Sequence, residues 1–131
     1  MIYFDKPYLT IRWDLATRTV IMEWKMFVDG EAFRNGLNTG LELLVEKGAS
    51  HWLADLRNLG VITPDDQKWS NEVWFPKAVS KGIRVMAIVV PKSTIAGMSV
   101  DAIMKKAELN NRTLVTHYFD NVFDAREWLR A

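Results

Sequence analysis

The chain has 131 residues, of which 49% are hydrophobic and 25% charged. That composition suits one globular domain, 1–131, with a single core, and it excludes disordered, collagen-like and coiled-coil architectures. The 17 Lys and Arg nearly balance the 16 Asp and Glu for a net charge of +1, so no nucleic-acid partner is expected.

Cysteine is absent, which removes disulfides, thiolate metal sites and a cysteine nucleophile. Met1–Lys6 lacks the basic and apolar regions of a leader, and no apolar run is long enough for a membrane span. A cytoplasmic protein is the expectation.

Tyr8 to Asp14 alternates, with Leu9, Ile11 and Trp13 on one face, and Thr19 to Trp24 repeats the pattern. The short polar link between them predicts an antiparallel hairpin. The period then changes. Asp29 is placed to cap a helix with Phe33, Leu37, Leu41, Leu44 and Val45 inward, and Gly48 suits its left-handed end. Gly36 and Gly40, four apart, permit close packing of that helix on the sheet.

His51 to Leu56 reads as a short strand. Thr63-Pro64-Asp65-Asp66 reads as a hydroxyl cap, a proline in the first turn and two carboxylates at the positive end of a second helix. Pro76 is expected to break or kink that helix, and Gly82 to close the segment. Ile83 to Val90 is apolar throughout and predicts a central strand covered on both faces. Ser99 is expected to cap a third helix, Thr113 to Phe119 to form a last strand, and Asp120 to cap a closing helix.

The resulting order, ββαβαβαβα, predicts an α/β fold with a five-stranded, mixed but mostly parallel sheet in sequential order. Only its first strand would run antiparallel. Because sequential crossovers put most helices on one face, the dry strand Ile83 to Val90 needs cover on the other from a helix, a lid or a second subunit.

Trp52-Leu53-Ala54-Asp55-Leu56, Ile62 to Trp69, Trp74-Phe75-Pro76, Met86 to Pro91 and Tyr118-Phe119-Asp120 together resemble a group of small bacterial proteins described as STAS-like. The likeness covers nearly the whole chain. It implies the anti-sigma-factor-antagonist fold, a superhelix of βα units, and a role in binding and regulation. In regulatory STAS proteins a strand ending in Asp-Leu precedes a helix whose first Ser receives phosphate. Asp55-Leu56 matches that strand end, but Pro64-Asp65-Asp66 offers no Ser, and Thr63 is the nearby hydroxyl. A more distant resemblance to CRAL-TRIO lipid carriers implies an apolar pocket.

The candidate binding residues are Asp55, Thr63, Asp65, Asp66, Trp74 and Phe75. The three carboxylates are expected to converge at the carboxyl ends of the strands, where open α/β sheets bind ligands. Trp69 and Val73 share a helical stripe and are expected in the core, leaving Trp74, Phe75 and Pro76 for a pocket or an interface. His51 and His117 belong at opposite ends of their strands and are not expected to form a dyad. No dinucleotide or Walker-type fingerprint is present, and neither a cofactor, a metal nor a catalytic residue is expected.

The leading functional expectation is a non-enzymatic module that binds a protein partner through Arg57 to Phe75. The alternative is a small carrier or sensor of an apolar ligand, with Trp74, Phe75 and the Pro91 to Met98 loop at its mouth. The supply of aromatics, six Trp, six Phe and three Tyr, also points to a homodimer with Trp74 and Phe75 in its interface.

Overall fold

In the computed structural model, which describes residues 1–130, the two antiparallel pairings and three parallel ones build a six-stranded sheet. Its strands are β1 (Ile2–Lys6), β2 (Leu9–Asp14), β3 (Thr19–Trp24), β4 (His51–Asp55), β5 (Val85–Val89) and β6 (Val115–Phe119), in sequential order. The β2–β3 hairpin and the parallel run from β3 to β6 agree with the sequence pattern. The sixth strand is a correction to the expected five. β1 pairs antiparallel with β2 through the tight link Pro7-Tyr8, but its register slips between Ile2 and Phe4. That irregularity breaks the alternation by which a strand is read from sequence.

The helices are α1 (Gly30–Glu46), α2 (Pro64–Trp69), α3 (Phe75–Lys81), α4 (Thr94–Asn110) and α5 (Val122–Arg130), with a π turn, Ser70–Trp74, joining α2 to α3. Three successive crossovers step the same way along the sheet. They place α1, the α2–α3 segment and α4 on one face, over a core that includes Leu9, Ile11, Val20, Met22, Trp52, Met86 and Ile88. α5 follows the last strand, so no crossover constrains it, and it folds back on the opposite face. There Ala125 and Leu129 cover Leu53, Ala87 and Val89. β5 is therefore dry on both sides within one chain.

The segment from Pro64 to Lys81 shows why a regular helical period misreads it. Asp66, Ser70, Trp74, Phe75 and Ala78 are its buried residues, whereas Val73 is exposed and Trp69 only half-buried. This reverses the expected stripe. The π turn, in which the Phe75 N–H donates to the Ser70 carbonyl, holds one residue more than an α turn, so every position after it is displaced by one in phase. The helix does not break at Pro76, and the irregularity expected near it is the π turn that ends two residues before. A proline ring strikes the carbonyl one turn back in a regular helix, and the wide turn just ahead of Pro76 makes room for it.

The burial of Trp74 and Phe75 also overturns their expected place in a subunit interface. Trp74 packs edge-on against Trp52 and against Phe75, with both centroid separations 5.1 Å. Trp13 and Trp24 are buried as well. Much of the aromatic supply is thus absorbed by one chain.

Helix ends show a mixture of expected and unexpected caps. Thr63 Oγ1 accepts the Asp66 N–H at 3.2 Å, with Pro64 in the first turn. Replacing Thr63 by alanine should cost about 1 kcal/mol, read as a lower urea midpoint at unchanged m-value; equal midpoints would dismiss the cap. Asp29 stands at the cap position of α1 without a side-chain bond to it. The α4 cap is Ser93, whose hydroxyl accepts the Ala96 N–H, and not Ser99. Ser99 lies inside the helix, where its hydroxyl donates to the Ala96 carbonyl and accepts the Ile62 N–H. At α5 the cap is Asn121, one residue after Asp120, and its side-chain oxygen accepts the Asp124 N–H.

Gly36 and Gly40 let α1 approach the sheet as expected. A Cβ at Gly36 would lie 2.7 Å from Leu9 Cδ2, and one at Gly40 would lie 2.6 Å from Trp52 Cη2. Val45, expected inward, is exposed, while Leu43 is buried in its place.

Candidate functional site

Strands β3, β4 and β5 run parallel, so the connections that follow them gather at one end of the sheet. These are residues 25–29, 56–63 and 90–93. The first two touch: a Cβ on Gly60 would come 2.9 Å from Phe27 Cβ. The third is tied to the second by the Lys92 N–H bond to the Arg57 carbonyl at 3.1 Å. Packing between the first two connections and a hydrogen bond between the second and third hold this end as a defined surface.

Of the expected site residues, the structure places Asp55 and Asp66 apart. Trp52 and Ala54 face the main core while Leu53 faces α5, so Asp55, by strand alternation, belongs to the α5 face. It accepts Arg57 Nε at 2.9 Å and a terminal Arg57 nitrogen at 2.8 Å. The hydrogen bond to Asp55 and its charge, set against partial burial, raise the Arg57 pKa above its usual value.

Asp66 lies under the other face, almost fully buried. Its two oxygens accept the Gly30 N–H at 2.8 Å and Arg34 Nε at 3.0 Å. It therefore supplies to the start of α1 the acceptor that Asp29 does not. Asp65 is exposed and offers its carbonyl to Arg34 at 3.4 Å. The expected convergence of the three carboxylates does not occur: two are committed to separate ion pairs on opposite faces. Thr63 caps α2.

Trp74 and Phe75 do line a cavity, of about 70 Å³, between the sheet and the helices. Its walls also include Trp24, Phe33, Ile88 and Met104, and the buried Trp74 Nε1 has no hydrogen-bond partner among the described residues. Residues 91–98, the expected mouth, are not in its wall; Thr94 to Met98 are already the first turns of α4. The two histidines are separate. His51 opens β4, and His117 lies mid-strand in β6, its ring 5.1 Å from that of Trp128.

A third array occupies the part of the α5 face in front of β2 and β3. There Arg12 pairs with Glu23 and Arg126 with Asp14, beside Asp55 and Arg57 in one open cleft. Burial raises the Asp14 pKa, but hydrogen bonds from Thr17 and Arg126 outweigh it and the net shift is downward. Each acid here has its own base. Among the described residues, no cluster of three or more His, Asp or Glu has the spacing of a metal site.

Inspection of the sequence missed the exposed apolar side chains at the loop end of the sheet: Met26 and Phe27 after β3, Val61 after β4, and Ile95 and Met98 on the first turns of α4. One signal for them exists. Met26-Phe27-Val28 is an apolar run in a connection between strand and helix periods, where polar turn residues are the rule.

The geometry defines an α/β protein with a mixed sheet, helices on both faces and a structured loop surface at the strands' carboxyl ends. Among the described residues no helix is long and apolar enough to cross a membrane. Comparison of the chain with protein families, with curated proteins and with solved structures returns no match.

Proposed function

We propose that the chain is a non-enzymatic, regulatory module of STAS-like type, acting in the cytoplasm, that binds a protein partner through the loop end of its sheet. The observation carrying this reading is the set of exposed apolar side chains there. Val61, Ile95 and Met98 extend from a loop and a helix start joined by hydrogen bonds, and Met26 and Phe27 from a loop packed against Gly60. Exposed apolar side chains on a rigid frame are what protein interfaces draw upon, since their burial releases water without much loss of backbone freedom. The binding surface accordingly comprises Val61, Thr63 and Asp65 from the second connection and the start of α2, together with Phe27 and Met98. Asp55, Asp66, Trp74 and Phe75 support it from within.

The carrier reading rests on the apolar cavity and the unpartnered Trp74 Nε1. Volume ranks it second. Pockets for drug-sized ligands span roughly 300–1,000 Å³, several times the 70 Å³ present.

A photo-crosslinking residue placed at Phe27 or Val61, with an exposed α1 site such as Val45 as control, tests the proposal in living cells. A discrete crosslinked protein at both loop positions and not at Val45 is the expected result. Identical patterns at all three positions would remove it, and a small molecule retained in native mass spectrometry of the purified protein would favour the carrier.

A further inference from the structure

The two edges of the sheet are built differently. β1 ends in Asp5 and Lys6, is followed by Pro7, and carries a register slip. Charge, proline and irregular pairing are the features by which an edge strand avoids joining another chain. β6 has none of them. Val115–Phe119 contains no charged residue or proline and keeps an unbroken register with β5.

Its free backbone groups can be assigned. The Val115 N–H donates to the Arg84 carbonyl, and the Phe119 carbonyl accepts the Val90 N–H. By alternation, Val115, His117 and Phe119 direct their main-chain polar groups to β5, and Thr116 and Tyr118 direct theirs outward. Glu108 on α4 accepts hydrogen bonds from both the Thr116 and Tyr118 hydroxyls, which fixes the side chains of these two residues.

We propose that β6 pairs antiparallel with β6 of a second copy about a two-fold axis at His117, the middle of the strand. Thr116 of one copy then stands opposite Tyr118 of the other. Each such pair exchanges two N–H to carbonyl bonds, and the axis repeats the pair, so the outward groups of both strands are satisfied in a closed, isologous contact.

Charge favours a second copy of this chain over an unrelated strand. Arg112 precedes β6 and Asp120 follows it; both are exposed, and neither is in an ion pair among the described residues. Antiparallel pairing brings the basic end of each strand to the acidic end of its mate, and symmetry makes that match occur twice. Val115 and Tyr118, with Leu109 and Phe123 on the helices leading into and out of the strand, are exposed apolar side chains available to the contact. This interface lies on a different edge from the loop surface and from the buried Trp74 and Phe75.

Sedimentation equilibrium of the full chain at micromolar concentrations tests it. The expected mass approaches twice 15.1 kDa. Thr116→Pro removes an outward N–H that serves no bond within the chain and should give a monomer with an unchanged circular dichroism spectrum. Arg112→Asp and Asp120→Arg should each raise the dissociation constant about tenfold, and the double exchange should recover most of the loss. If the proline variant does not fold, the charge exchange decides alone. A monomer at every concentration, or a dimer indifferent to the charge exchange, would overturn the proposal.

Discussion

Truncating Trp74 to alanine should destabilise the protein by about 3–5 kcal/mol, the range for emptying a buried tryptophan site. Trp74 is 1% exposed, and its indole lies edge-on to both Trp52 and Phe75, so its removal strips contacts from two neighbouring rings and enlarges the existing cavity. Trp74→Phe should cost distinctly less. It keeps an aromatic ring in the site and sacrifices no hydrogen bond to another of the described residues. Urea unfolding followed by circular dichroism distinguishes the two. A loss under about 1 kcal/mol for the alanine variant is a surface value and would contradict the core assignment.

Asp66→Ala should be the next most damaging change, at about 2–3 kcal/mol, because charge-assisted bonds to a buried carboxylate are worth more than neutral ones. The carboxylate is 1% exposed and joins the start of α1 to the start of α2 by accepting from Gly30 and Arg34. The Arg34 part of that figure is reduced because its side chain is 36% exposed, and water takes up some of the lost interaction. Asp66→Asn retains a single side-chain acceptor and should fall between parent and alanine variant. Besides a lowered urea midpoint, the alanine variant should show faster exchange of the Gly30 amide. Unaltered exchange there would mean that Asp66 does not hold the α1 terminus.

Local patterns carried the hairpin, the parallel strands, α1 and the Thr63 cap because each is decided by neighbouring residues: alternation, a helical stripe, a hydroxyl before a proline. β1 was not legible, since its register slip interrupts the alternation and its first residues are neither uniformly buried nor uniformly exposed. The expected α4 start lies six residues late because Ser99 stands directly before Val100, whereas Ser93 is separated from Ile95 by Thr94. Inside the helix Ser99 serves the Ala96 carbonyl and the Ile62 N–H, and the second of these is a tertiary contact that no local pattern announces.

The candidate site was legible in part. Thr63 and its helix start were readable from four consecutive residues. The partners of Asp55 and Asp66 were not, because Asp66 is 36 residues from Gly30 and 32 from Arg34, and nothing local distinguishes a carboxylate that faces a distant helix from one that faces water. Strand alternation could have assigned Asp55 to the face opposite Trp52, and the Arg two residues on could have named its partner.

The wide turn at Ser70–Trp74 also governs which changes of chain length this fold tolerates. Deleting one residue there would close the turn into an ordinary α-helix while leaving Asp66 and Ser70 before it, and Phe75 and Ala78 after it, facing the sheet. The same deletion in the middle of α1 would rotate everything beyond it by about 100° and carry half of the apolar stripe into water. A one-residue gap between relatives of this chain is therefore affordable at the π turn and destructive in α1, and the shorter form would have to replace Pro76, which the wide turn alone accommodates.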